Sequence, residues 1–99
     1  MQNEVNVIQQ EKTDIKLPSH WNVIFFNDDV TPIGFVVELL INIFGYNQDN
    51  AIAKVLSIQE KGKDIVGTYI KSIADAKATL VREVSIKANY PLVISTEEI

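Results

Sequence analysis

Apolar positions along this chain change their spacing several times, and each change marks an element. In HWNVIFFN, residues 20–27, aromatic and β-branched residues crowd together and stop at the polar cluster NDD. That is the mark of a strand closing on a turn. Trp21, Val23 and Phe25 would share one face of such a strand, and Asn22, Ile24 and Phe26 the other. A helical spacing then takes over. Ile33, Val36, Val37, Leu40, Ile41 and Phe44 form a stripe, widened by Phe35, Leu39 and Ile43. Only Gly34, Glu38 and Asn42 are left as a polar edge, so this helix is expected to be mostly buried. Thr31 suits its N-cap, Pro32 its first position and Gly45 its C′ residue.

A second helix is predicted from Asp49 or Asn50 to about Lys61, where Gly62 can end it. Its stripe reads Ile52, Val55, Leu56 and Gln59, so the polar Gln59 falls on the apolar side. DIVGTYI, residues 64–70, reads as a second strand weakened by Gly67. Ser72 and Asp75 fit a capping box. The helix they would open carries Ile73, Ala76, Leu80, Val81 and Val84 inward and leaves Lys71, Lys77, Arg82, Glu83 and Lys87 to solvent. A last strand, PLVIST, begins at Pro91. The order β-α-α-β-α-β predicts an α+β, two-layer sandwich: three helices on a small, mainly antiparallel sheet.

Before the first strand runs MQNEVNVIQQEKTDIKL, with no aromatic residue and no sustained period. Residues 1–17 therefore read as a mobile tail and residues 18–99 as one core domain, with Pro18 at the boundary. Ninety-nine residues leave no room for a second core. Thirteen acids against nine bases give a net charge of −4, which disfavours DNA and general RNA binding. The absence of cysteine removes disulfides, thiolate metal sites and thiol nucleophiles, and a single histidine removes multi-histidine metal sites. No apolar run reaches the ~18–20 residues of a membrane span, and no secretory h-region is visible. The expectation is a small, acidic, soluble intracellular domain with no membrane or nucleic-acid partner.

The unusual feature is NDDVTP, residues 27–32, two acids in a row between a greasy strand and a greasy helix. If strand geometry persists briefly, Asn27 and Asp29 point the same way and Asp28 points opposite. An amide oxygen beside a carboxylate suits a cation with several N–H donors, such as an α-ammonium group. The plainer reading is a turn with a helix cap, since Asn and Asp are ordinary turn residues and an acid favours a helix N-terminus. A Mg²⁺ site at Asp28 and Asp29 lacks a third ligand. Gln59 alone fits a boundary residue, and His20 has no nucleophile or orienting acid in motif context. Gly62, Lys63 and Gly67 do not make a phosphate loop.

NDDVTPIGFVVELL (residues 27–40), Gly62–Lys63 with Gly67 five positions after the first glycine, IADAK (residues 73–77) and PLV (residues 91–93) together resemble the ClpS adaptors of bacteria and plastids. The resemblance runs over about residues 18–97. It implies an adaptor rather than an enzyme, with no cofactor. Such an adaptor binds proteins whose first residue is Leu, Phe, Tyr or Trp (N-degrons) and hands them to an AAA+ unfoldase of the ClpA or ClpC type, in the bacterial cytoplasm or, for plastid members, the stroma.

By position, the resemblance assigns the substrate's α-amino group to Asn27, Asp29 and Gln59, with Asp28 close by and serving the peptide backbone or the local turn. Gln59 replaces the family's histidine: the motif His-x-x-Gly-Lys stands here as Gln59-Glu60-Lys61-Gly62-Lys63. A glutamine oxygen still accepts from ammonium but does not titrate. The implied side-chain pocket is Thr31, Ile33, Val36, Val55, Ile58 and Leu92, with Ile58 off the second helix's stripe. Ile33 stands where many relatives carry methionine. Unfoldase docking falls to Lys77, with Ser72 where many relatives carry an acid, and the tail resembles an extension engaged during hand-over. The alternative is an unfoldase-docking modulator whose pocket is degenerate and binds no N-degron; an acid-based hydrolase using Asp28 and Asp29 is a distant third.

Overall fold

The computed structural model describes residues 19–99, so the tail expected over residues 1–17 and the boundary at Pro18 lie outside the described residues. Six elements follow in the expected order: β1 (His20–Phe26), α1 (Ile33–Phe44), α2 (Gln48–Lys61), β2 (Lys63–Ile70), α3 (Lys71–Lys87) and β3 (Ile94–Glu98). β1 is the central strand of a three-stranded sheet ordered β2-β1-β3, and both pairings are antiparallel. The architecture is thus the two-layer α+β sandwich that the hydrophobic pattern predicts. Among the described residues no helix is long and apolar enough to cross a membrane.

Strand parity sorts β1 largely as expected. Val23 and Phe25 are wholly buried in the main cluster, and Trp21 packs against it. Phe25 meets Phe44 of α1 edge-on, with ring centroids 5.6 Å apart, a favoured aromatic geometry. On the other parity Ile24 is also buried, outside that cluster. The β1–β2 register slips between Val23 and Ile24: Gly67 pairs with Val23 and Ile65 with Ile24, leaving Val66 as the extra residue of a bulge. The Tyr46 hydroxyl donates to the freed Val66 carbonyl at 2.7 Å. The Tyr69 ring covers Gly67, and a Cβ there would lie 2.5 Å from its hydroxyl oxygen, so a larger residue needs that ring to move.

Helix phases differ from the expected ones. α2 buries Ala51, Val55 and Ile58, while Ile52 and Leu56 are exposed, Leu56 by 57%. α3 buries Ala74, Ala78, Val81 and Ser85, leaving Ile73, Ala76 and Leu80 outside. In both helices small residues face inward and let the backbone approach its neighbours closely, which a count of large apolar residues misplaces by about one position. α1 buries only Val36, Leu39 and Leu40 and keeps the rest of its wide stripe partly or largely exposed, so it is less covered than expected.

The ends also move. Pro32, not Thr31, is the N-cap of α1, without a side-chain cap bond. Gly45 ends that helix in the left-handed region (φ 75°), as expected. α2 begins at Gln48, one or two residues early, because the Asn47 side chain accepts from the Asn50 N–H at 2.8 Å. The Ser72–Asp75 capping box does not form: α3 starts at Lys71 behind an Ile70 N-cap with no side-chain bond, and Asp75 pairs with Lys71 at 2.7 Å. β3 starts at Ile94 rather than Pro91, although the Val93 carbonyl already accepts from the Phe26 N–H at 3.0 Å.

Candidate functional site

β1 stops where its last residues leave the ladder for two other partners. The Phe26 N–H goes to Val93, before β3, and the Asn27 N–H goes to the carbonyl of Gly62 at 2.8 Å. Gly62 closes α2 in the left-handed region (φ 87°) and donates its own N–H back to Ile58. One bond thus ties the start of NDDVTP to the end of α2. Beyond it, Asp28 Oδ1 accepts from the N–H groups of Val30 (2.8 Å) and Thr31 (2.6 Å), and Oδ2 accepts from the Thr31 hydroxyl (2.9 Å). This turn, built by an Asp side chain onto backbone two and three residues ahead, delivers the chain to Pro32 and α1. Burial pushes the Asp28 carboxyl up, but the bonds from Thr31 and Val30 outweigh it and hold the group below the ordinary carboxylate range.

Between the end of β1, the start of α1, the end of α2 and the segment before β3 lies an open pocket. Its envelope, with the solvent space at its mouth included, is about 350 Å³. Phe25, Val36, Val55 and Ile58 are buried and form its apolar interior, with Leu92 half-buried. Ile33 stands at the mouth, 50% exposed. Asn27, Asp28, Thr31 and Gln59 supply the polar edge. The arrangement suits an apolar side chain next to a group rich in N–H donors, because amide, carboxylate and hydroxyl groups line the edge.

The pocket brings together Asn27, Asp28, Gln59, Thr31, Ile33, Val36, Val55, Ile58 and Leu92; Asp29 is not in its lining. The parity that pairs Asn27 with Asp29 needs extended backbone past Asn27, and the chain leaves strand geometry after Phe26. Asp29 instead sits exposed on the bend made by Asp28. Two lining residues lay outside the sequence reading, Phe25 and Phe26. Their signal was position, immediately before Asn27. Lys63 stands over the Phe26 ring, 5.5 Å from its centroid. His20 is exposed at the opposite end of β1 and lines no part of the pocket.

Lys77 is not a freely solvated side chain. Its Nζ donates to the Ile43 carbonyl at 2.6 Å and lies 5.5 Å and 5.2 Å from the ring centroids of Phe44 and Tyr69. Asp64 forms a second, partly buried anchor, accepting from Ser57 at 2.6 Å, Lys54 at 3.1 Å and its neighbour's N–H at 2.8 Å. The Ser57 hydroxyl bond is the leading cause that holds this carboxyl below its usual range against burial, with Lys54 and the Ile65 N–H assisting. Among the described residues no group of three His, Asp or Glu side chains is placed to hold a metal ion.

A helix-backed sheet that holds an apolar pocket with a polar edge suits a binding module. Comparison with known proteins gives the same class. Residues 16–95 match the family described as ATP-dependent Clp protease adaptor protein ClpS, and the chain belongs to that family. It is 40% identical over 88 residues to the ClpS adapter of Campylobacter jejuni, covering 89% of this chain and 92% of the relative. With the ClpS adapter of Vibrio atlanticus it shares 34% over 94 residues, 95% of this chain and 89% of the other. Among solved structures it resembles Agrobacterium tumefaciens ClpS2 bound to L-phenylalaninamide, with TM-score 0.81 and 28% identity over 84% of this chain and all of that one. The protein is accordingly an adaptor of the Clp protease system and not an enzyme.

Proposed function

We propose that this adaptor binds polypeptides through a free α-amino group and a bulky hydrophobic first side chain, Leu, Phe, Tyr or Trp, and delivers them to an AAA+ Clp unfoldase of the ClpA or ClpC type in the cytoplasm. The observation that supports the reading is one pocket whose buried interior is apolar and whose lining includes the amide side chains of Asn27 and Gln59. The phenylalaninamide in the solved ClpS2 supports it, because that molecule pairs a free α-amine with a benzyl side chain and has no carboxylate. Asn27 and Gln59 accept from the ammonium group. Asp28 and the neighbouring Asp29 add negative charge beside it. Ile33, Val36, Val55, Ile58 and Leu92 receive the side chain. Lys77 belongs to the unfoldase-facing surface.

Magnitudes agree with such a role. Burying a Leu or Phe side chain contributes about 1.5–3 kcal/mol. Each hydrogen bond to a charged group contributes about 1.5–3 kcal/mol. After association entropy, micromolar binding (about −8 kcal/mol) is within reach, and neither half reaches it alone. Fluorescence anisotropy with peptides starting in Leu, Phe, Tyr, Trp, Ile and Met, each free and N-acetylated, is the test. Free bulky termini should bind and acetylated ones should not. An acetylated Phe peptide that binds as well as its free form would remove the amine grip. No binding by any peptide would leave the docking modulator with an unused pocket, the reading that the replacement of histidine by Gln59 favours.

A further inference from the structure

Leu92 borders two hollows at once. It lines the pocket, and it also lines an open groove between the C-terminal half of α3 and residues 90–94; no other residue lines both. The stretch that carries it belongs to no helix or strand. Asn89 turns the chain off α3 with φ 63°, and the stretch is then held at its two ends. Tyr90 donates its N–H to the Ser85 carbonyl at 2.9 Å and sets its ring edge-on to Phe35 at 4.8 Å. The Val93 carbonyl accepts from the Phe26 N–H at 3.0 Å, and the Ile94 carbonyl from Arg82 Nη2 at 3.3 Å. Pro91 and Leu92 lie between these anchors, and a proline has no N–H to tie to a neighbour. The α3 side of the groove is built small. Ser85 is 2% exposed, follows Ala74, Ala78 and Val81 on the inward face, and its hydroxyl has no hydrogen-bond partner among the described residues. An unpartnered buried hydroxyl lowers stability. A valine there would remove that cost and fill space on the Leu92 side of the groove; the serine leaves the space open.

We propose that Leu92 is a yielding wall, which gives way into the groove when an aromatic first residue enters the pocket, and that Ser85 is the positioning residue whose small side chain permits the movement. The inference rests on the reading of the pocket above and deepens it, because it assigns what limits the size of the first side chain. A leucine side chain enters without displacing the wall. An indole needs more width, and a close-packed surrounding resists even one added methylene. The extra volume therefore comes from a wall with space behind it. Val36, Val55 and Ile58 are packed within the core cluster, whereas Leu92 only borders it and has the groove at its back.

The test measures anisotropy of carboxy-terminally labelled peptides that begin with Leu or Trp and are otherwise identical. The chains compared are wild type, Ser85→Val, Ser85→Ala, Ile86→Phe and the double variant Ser85→Val with Leu92→Ala, each checked by thermal unfolding. Neither Ser85 nor Ile86 lines the pocket. Ser85→Val fills the groove behind the wall, so Trp affinity should fall about tenfold or more while Leu affinity keeps its wild-type value. Ser85→Ala removes the hydroxyl without adding bulk and should leave both affinities unchanged. Ile86→Phe adds bulk to the same groove from a position 73% exposed and should also lower Trp affinity selectively. Shortening the wall in the double variant should restore Trp binding. A wild-type Trp-to-Leu ratio in a folded Ser85→Val chain overturns the proposal; if that chain does not fold, the same ratio in Ile86→Phe does. An equal loss for both peptides overturns it too, since that would mean a distorted pocket, and so does a wild-type chain that binds Leu but not Trp. A double variant that stays unable to bind Trp overturns the role of Leu92. Absence of binding by every peptide defeats the reading of the pocket itself, and is told apart because it precedes any substitution.

Discussion

Lys77 of α3 closes the C-terminal end of α1: its Nζ donates to the Ile43 carbonyl, 2.6 Å away and 34 positions earlier in the chain. α1 has no basic residue in its own last turn, so the cation that favours a helix C-terminus comes from α3. The same ammonium lies near the faces of Phe44 and Tyr69, where ring electrons attract it.

Lys77→Met keeps the apolar stem and removes the charge. Stability should fall by about 1–2 kcal/mol, and the melting temperature by several degrees in a domain of this size. Peptide affinity should be unaltered, because Lys77 is not part of the pocket. An unchanged melting temperature would show that the bond adds nothing to the fold. The result matters for any study of delivery, since a Lys77 variant tests docking only if it is still fully folded at the assay temperature.

Gly67→Ala should be destabilising by about 1–3 kcal/mol, the usual range for overpacking. The new methyl would sit 2.5 Å from the Tyr69 hydroxyl oxygen, so that ring must swing aside. The double variant Gly67→Ala with Tyr69→Leu should recover part of the loss in urea denaturation. Additive losses would mean the clash is relieved elsewhere.

Asp28 and Asp64 both titrate below the ordinary range. A carboxyl whose folded value lies below its unfolded value, about 3.9, stabilises the fold above that pH and loses the contribution as pH falls through the folded value. For these two groups stability should be level from pH 5 to 7 and decline below about pH 4. Urea midpoints from pH 2.5 to 6 measure this. Asp64→Asn should start lower and fall less steeply in acid; a slope equal to that of the wild type would rule out its contribution.

Gln59→Ala should weaken peptide binding about tenfold, the loss of one acceptor to a charged donor. Binding should also be level between pH 5.5 and 7. No imidazole lines the pocket, amides do not titrate, and an α-amino group stays mostly protonated below about 7.7. A midpoint near 6.5 in the binding curve, or wild-type affinity in Gln59→Ala, would contradict the role given to Gln59.

Element order and sheet type were legible because strand and helix periods differ sharply: Val23 and Phe25 alternate, whereas Val36 and Leu40 recur at helical spacing. Helix phase was harder to read. Ala51, Ala74 and Ala78 bring backbones together, yet a search for large apolar residues passes over them in favour of Ile52, Leu56, Ile73 and Leu80. Caps misled where tertiary bonds intervened: Asp75 turned to Lys71 instead of closing a capping box, and the Thr31 hydroxyl went to Asp28. Asn27 and Gln59 were nameable from motif positions. Their meeting on one pocket was not, since it depends on the bond between Asn27 and Gly62, which joins residues 35 positions apart.

α1 carries Ile33 and Val36 on the pocket at one end and Ile43 under the Lys77 ammonium at the other. Twelve residues of helix amount to a stiff strut of ~18 Å. The pocket and the Lys77 anchor are thereby held at a fixed separation, so that a displacement of either end carries the other with it along the helix axis.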